Sequence, residues 1–249
     1  MNGGSVAIEL PDELVWVMNL LGLNWPEVNE DKVREFADHV RQFARSIDST
    51  HESATSTIRQ MSEAYQADSY QVLVERWAKM SSDHMTELVE VCGTVATVLD
   101  VAADAIVGAK MAVITELGIM AAEFIADQAA AVATLGAAEA AEALLIEVTK
   151  KVVNGILQQV EQQIIGELVG KAVGPLAEVV ERAAGGLVFQ GVQAALGGGA
   201  PAGGRGGGSG FQVHPEQLLQ HAARLHEHAE EVAGHGRTLA AATAGVSFS

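Results

Sequence analysis

Apolar residues recur along most of this chain at alternating intervals of three and four, the spacing of one face of an α-helix. A short first pattern begins at Asp12, which we expect to cap the helix, and ends at Gly22. Its apolar face is predicted to consist of Leu14, Val17, Leu20 and Leu21. The chain should then change direction at Trp25-Pro26, because a proline disfavours helical backbone in the residue before it.

A second and much longer pattern begins after Asn29, whose side chain is a candidate helix cap. Its apolar positions are Val33, Phe36, Ala37, Val40, Phe43, Ala44, Ile47, Ala54, Ile58 and Met61. A third pattern starts at Leu73 and runs into an Ala-rich region, which we expect Gly136 to interrupt. These spacings, together with an aromatic content of only 4%, predict an all-α fold.

The stretch EAYQADSYQVLVERW, residues 63–77, joins the second and third patterns without any glycine or proline. A single helix through both patterns would be on the order of 110 Å long, and helices in globular proteins rarely run so far without a neighbour alongside. Asp68 and Ser69 are both good N-cap residues. We therefore predict a turn near 66–69, with the third pattern packed antiparallel on the second.

The predicted architecture is an antiparallel helical hairpin at about 29–105, extended by Ala-rich helices at about 106–196 into an elongated bundle. Residues 1–196 would form one all-helical domain. The segment 197–210, GGGAPAGGRGGGSG, has the composition of a flexible linker. It does not predict a phosphate-binding loop, because no strand pattern precedes it and no Lys-Ser/Thr pair follows it. Residues 211–249 would then form a separate C-terminal helix.

The C-terminal helix carries a narrow apolar seam with a four-three-four-three spacing, which is typical of a helix that packs against another helix. The seam residues are Leu218, Ala222, Leu225, Ala229, Val232 and Leu239. So short a tail must find the facing helix elsewhere. We therefore predict that the seam contacts a helical protein partner or a second copy of the chain.

The chain has 32 acidic and 15 basic side chains, which gives a net charge of −17. This charge argues against nucleic acid as a partner, since affinity for phosphate is built from Lys and Arg, and it opposes contact with anionic lipid headgroups. The single cysteine, Cys92, excludes an intramolecular disulfide, and its apolar surroundings favour a buried side chain over a nucleophile. The N-terminus lacks the pattern of a Sec-type signal peptide, and we do not expect a membrane-spanning helix.

Histidine comes closest to forming a site motif in this sequence. A histidine recurs every seven residues in the tail, at His214, His221, His228 and His235. Residues seven apart on a helix are separated by about 10 Å, which is too far to share one metal ion. We interpret these histidines as a polar flank of the seam, with a pH-sensitive partner surface as the alternative. Acidic pairs and scattered Ser, His and Asp residues form no catalytic motif, so we expect no enzyme, no cofactor and no metal.

The predicted hairpin resembles the W-x-G superfamily of type VII secretion substrates, in which two helices of this size meet at a Trp-x-Gly turn. At the matching place this chain has Tyr65, Gln66 and Ala67, so the aromatic residue is kept and the glycine is not. The Tyr-x-x-x-Asp/Glu signal that often follows the hairpin in such substrates does not occur after Tyr65 or Tyr70.

The N-terminal stretch IELPDELVWVMNLLGLNWPEVNEDKVREFADHVRQFA carries a closer resemblance. It looks like the opening of the W-x-G-like N-terminal domain of actinobacterial channel-and-necrotizing-toxin proteins, in which a short helix and a Leu-x-Trp-Pro-like segment precede the long first helix. The resemblance covers roughly residues 8–185. The tail is similar to the first helix of a second secretion-target module, and we expect no catalytic toxin domain in it.

This resemblance implies a non-enzymatic substrate of type VII export, or the N-terminal targeting module of a toxin-type protein, that acts through helix–helix recognition. Such a protein would be cytoplasmic before export and secreted or surface-located afterwards, with the export machinery as a partner. The candidate export-recognition residues are then Tyr65, Gln66, Ala67, Trp77 and Trp25. Core packing is the simpler interpretation of the aromatic ones. The alternative function is a membrane-active or pore-forming protein built from the apolar helices between 101 and 180.

Overall fold

The computed structural model describes residues 7–66, 68–134, 138–160, 162 and 212–244. Its helices are α1 (Asp12–Leu21), α2 (Glu30–Ala64), α3 (Asp68–Met80), α4 (Thr86–Thr134), α5 (Ala138–Val160) and α6 (Pro215–Ala244). A π-helical turn, Ser81–Met85, joins α3 to α4, and two short strands, β1 (Tyr65–Gln66) and β2 (Gln212–Val213), pair antiparallel. The all-α fold class is confirmed.

Contacts group the described residues into two compact units that do not follow the order of the chain. The first unit contains residues 7–37, 97–134, 138–160 and 162, and the second contains residues 38–66, 68–96 and 212–244. Helices α2 and α4 each contribute residues to both units, whereas α6 belongs to the second. The predicted linker at 197–210 lies outside the described residues, and the domain boundaries predicted from the sequence stay predictions.

Helix α1 ends as predicted and begins differently. Gly22 closes the helix with a left-handed backbone, φ 64°, which glycine adopts without a steric penalty. The predicted cap at Asp12 is wrong, because Asp12 is already helical and Pro11 precedes the helix without a side-chain cap. The buried residues of α1 are Val17, Met18 and Leu21. Leu20 is 42% exposed, because the row through Val17 and Leu21 faces the core and Leu20 lies beside it.

The core of the first unit joins α1, α4 and α5. Its main cluster consists of Val17, Met18 and Leu21 of α1, Val113, Leu117 and Met120 of α4, and Val153 of α5. A smaller cluster consists of Val33 of α2 with Ala102, Ala103 and Ile106 of α4. The small side chains of Ala102 and Ala103 leave room for Val33 of α2 to pack against α4 beside Ile106.

Helix α2 follows its predicted pattern closely. The Asn29 side chain caps it, since its Oδ1 accepts a hydrogen bond from the Lys32 amide at 3.0 Å. Most of the predicted apolar positions are buried. The same face also buries two polar residues that the apolar pattern passes over, Thr50 and Thr57.

A buried ion pair ties the N-terminal segment of the first unit to α4. The Lys110 ammonium donates to Glu30 Oε2 at 2.7 Å, and both side chains are almost completely buried. The Ile8 amide donates to the other oxygen of Glu30, and the Lys110 Nζ lies 5.9 Å from the Trp25 ring. Burial alone would raise the pKa of Glu30, but these hydrogen bonds outweigh it and lower that pKa. The stabilisation is therefore present above the usual titration range of Glu and is lost as the pH falls below it.

Two further observations concern α4. Cys92 is buried, as predicted, and burial raises the pKa of its thiol to about 11. The stretch Thr86–Asp127 is long and apolar enough to cross a membrane, with 33% of its most apolar window buried. Buried helices in water-soluble proteins meet the same criterion, so length and composition alone do not distinguish the two.

Candidate functional site at the hairpin corner

Two hydrogen bonds hold α3 against the end of α2. The Tyr70 hydroxyl donates to the Ile58 carbonyl at 3.0 Å, and Trp77 Nε1 donates to Thr55 Oγ1 at 2.9 Å. Because the later residue of α3 meets the earlier residue of α2, the two helices run antiparallel here. The helical break predicted near residues 66–69 is present, since α2 ends at Ala64 and α3 begins at Asp68.

The corner between these helices is built by strand pairing. Tyr65 lies opposite Val213 in the antiparallel pair of β1 and β2, and the His214 amide donates to the Ala64 carbonyl at 2.9 Å. The pairing therefore satisfies backbone groups that the end of α2 leaves open. Tyr65 and Gln66 leave the end of α2 in extended backbone, which any residue adopts. Ala67 lies outside the described residues.

Tyr65 links the strand to the start of α3. Its hydroxyl is hydrogen-bonded to Oγ of Ser69, the second residue of α3, and its side chain is partly buried. Asp68 and Ser69 are exposed beside it. The corner therefore presents one fixed aromatic side chain, next to an acidic residue and a hydroxyl.

The other aromatic candidates lie elsewhere. Trp77 is further along α3, where its ring stacks on His51 with the ring centroids 5.0 Å apart and the planes 15° from parallel. Trp25 belongs to the first unit, where it packs against the main core cluster and contacts Lys110. Of the predicted recognition residues that the structure describes, Tyr65 and Gln66 lie together at the corner, whereas Trp77 and Trp25 do not.

Helix α6 contacts α2 through its histidines. The Thr50 hydroxyl lies 3.0 Å from His235 Nε2, and the Thr57 hydroxyl lies 3.4 Å from His228 Nε2. The two threonines are seven residues apart on α2, and the two histidines are seven residues apart on α6. The earlier threonine meets the later histidine, as antiparallel packing requires. His228 and His235 of the predicted polar flank therefore hydrogen-bond with α2 across the contact.

The predicted seam therefore packs at least partly against another helix of the same chain, and not solely against an outside partner. Five seam residues are partly buried, namely Leu218, Leu225, Ala229, Val232 and Leu239, whereas Ala222 is exposed. The facing helix is α2 of the same chain. Its hydrogen-bonding contacts with the α6 histidines are Thr50 and Thr57, and a pattern of apolar residues does not include threonines. The matching seven-residue spacing of these threonines and the histidines was the signal available in the sequence.

The family model of the WXG100-like domain matches residues 7–152. The chain belongs to the WXG100-like domain family. This is a family of type VII secretion substrates. Comparisons with curated proteins and with solved structures gave no match.

The WXG100-like match runs from the N-terminal segment through the hairpin and into α5, so it includes β1 and Tyr65. Strand β2 and helix α6 lie outside it. The segment that pairs with the corner is therefore an addition to the matched domain. The closer resemblance to the N-terminal domain of channel-and-necrotizing-toxin proteins stays a prediction.

Proposed function

We propose that this WXG100-like protein is exported as a non-enzymatic substrate, or as the targeting module of a toxin-type protein, through recognition of its hairpin corner. The observation that carries the proposal is Tyr65, an aromatic residue at the place of the family's turn aromatic, held there by the pairing of β1 with β2. A fixed side chain loses little conformational entropy on binding, which favours recognition. The protein would be cytoplasmic before export and secreted or surface-located afterwards.

We propose that Tyr65 and Gln66 of this chain contact the export machinery. Trp77 contacts Thr55 and His51, and Trp25 contacts Lys110. These internal contacts account for both tryptophans as packing residues. We therefore expect their substitution to act through stability rather than through recognition.

A helical partner, or a second copy of the chain, is the proposed companion in export. Apolar side chains are exposed on both helices of the second unit that flank the corner: Val72 is 47% exposed and Val74 38% on α3, and Leu219 is 70% exposed on α6. Exposed aliphatic positions on a helix are the contacts that helix–helix association uses. Val72 and Val74 point to different faces of α3, so a partner helix would bury one of them.

The substitution Tyr65→Ala tests recognition at the corner. We expect export to fall by about thirtyfold or more, because removing an anchoring aromatic side chain at the centre of an interface costs about 2 kcal/mol or more of binding free energy. Export is measured as the fraction of the protein in the culture filtrate of a host with an active type VII system. His226→Ala, which truncates a 74% exposed ring in the same unit, is the matched control and should leave export unchanged. Equal export of the Tyr65 variant and the wild type would remove the corner from the proposal.

A membrane-active role is the second candidate, because the stretch Thr86–Asp127 is apolar enough to span a bilayer. Its exposed side chains include Val101 at 58% and Ile125 at 64%. The buried Lys110–Glu30 pair opposes insertion, since the pair would have to open or enter the bilayer. Leakage of dye from liposomes between pH 7 and pH 5 separates the two roles, and an absence of leakage throughout would exclude the second.

A further inference from the structure

The second compact unit contains three histidine rings with a buried nitrogen that has no hydrogen-bond partner among the described residues. These are the Nδ1 atoms of His51, His84 and His221. A neutral imidazole carries one N–H, whereas an imidazolium carries an N–H on both nitrogens. Protonation would therefore leave a buried donor unpaired, which costs free energy. His51 is the ring whose surroundings bear directly on the hairpin.

His51 lies on α2 and stacks on Trp77 of α3 in a nearly parallel arrangement. The indole is fixed in place by its hydrogen bond to Thr55, one turn further along α2. The stack and the hydrogen bond together form one contact between the helices. Whatever weakens the stack therefore weakens the attachment of α3.

Burial and the neighbouring carboxylates shift the pKa of His51 in opposite directions. Burial lowers the pKa of His51, and the carboxylates of Asp48 and Glu52 on α2 act against this without cancelling it. From α3 the ring in contact is the uncharged indole of Trp77. An imidazolium would be attracted to the indole face, which offsets part of the cost of protonation but leaves the Nδ1 donor unpaired.

The charged groups that act on the His51 ring, Asp48 and Glu52, both belong to α2. The charged residues next to Trp77 on α3 are Glu75, Arg76 and Lys79, and all three side chains are exposed. The folded hairpin therefore favours neutral His51.

We propose that the stack of His51 on Trp77 is a pH-sensitive latch, which holds α3 on α2 at neutral pH and loosens when His51 is protonated in mildly acidic solution. The unfolded ring titrates near pH 6.5, and the folded ring titrates lower. The stabilisation is therefore complete above about pH 6.5 and is lost as the pH falls towards the folded value. This inference concerns the hairpin itself and does not rest on the proposed export function.

Amide hydrogen exchange of the full chain at pH 7.5 and pH 5.5, corrected for intrinsic exchange rates, tests the latch. In the wild type we expect the opening equilibrium of α3 to rise at least about fivefold at pH 5.5, the effect of one unsatisfied buried donor. In His51→Phe, which keeps a ring in the stack but cannot be protonated, α3 should open equally at both pH values. Helix α1 of the first unit is the internal reference.

His226→Phe is the matched control, because His226 has a 74% exposed side chain and should leave the response as in the wild type. If His51→Phe does not fold, His51→Gln replaces it, and in that variant too α3 should open equally at both pH values. An unchanged α3 in the wild type, or the same fivefold change in the His51 variants, would overturn the latch.

Discussion

The substitution Lys110→Met is expected to destabilise the first unit by about 3–5 kcal/mol at neutral pH. It removes the ammonium that neutralises Glu30, whose carboxylate is 2% exposed and would keep backbone hydrogen bonds, among them the one from the Ile8 amide, but no cation. A buried charge without its partner carries its full desolvation cost. The loss should shrink as the pH falls below the usual range of Glu, because a protonated Glu30 no longer carries that charge.

Urea unfolding in a Trp77→Phe background measures this effect, since the remaining tryptophans, Trp16 and Trp25, both lie in the first unit. Arg34→Ala is the matched control. It breaks the ion pair of Arg34 with Asp104, which has the same geometry at 2.8 Å but a 75% exposed carboxylate. Exposed pairs contribute at most about 1 kcal/mol. A loss of similar size in the two variants would mean that the Lys110 pair is not buried as described.

The second large effect is expected for Leu117→Ala, in the main core cluster of the first unit. Leu117 is fully buried between α1 and α5, so its truncation leaves a cavity and should cost about 2–5 kcal/mol. The same urea experiment reports the change. Ile119→Ala, two positions along α4 with a 49% exposed side chain, should cost less than about 1 kcal/mol.

This comparison also bears on the membrane-active alternative. If α4 is packed in water as the structure has it, the buried and exposed positions of the helix must differ in their response. Equal losses at Leu117 and Ile119 would indicate that α4 does not keep this packing in solution, and the alternative would gain support.

Helices and their ends were the part of this structure that the sequence could predict. Spacing of apolar residues is a local signal that repeats over many turns, and it placed α2 and the break after Ala64 correctly. The caps at Asn29 and Gly22 also follow from neighbouring residues. The hairpin itself followed from length, because so long an apolar stripe needs a helix alongside.

The features that pair residues far apart in the chain could not be predicted. Lys110 lies 80 residues from Glu30, and a single lysine in an apolar helix looks like any exposed charge. The pairing of β1 with β2 involves two residues on each side, too few for an alternating pattern to show. For the candidate site the sequence therefore supplied Tyr65 as the corner aromatic, and only the structure supplied what holds it.

The central claim is that this WXG100-like chain is exported by a type VII system, and export by that system tests it most directly. The measurement is the amount of full-length protein in the culture filtrate of a host with an intact type VII translocase, compared with the same host after the translocase is inactivated. A cytoplasmic marker protein controls for lysis. We predict that the protein reaches the filtrate only when the translocase is active. Equal amounts in the two filtrates, or retention in the cells of both strains, would contradict the account.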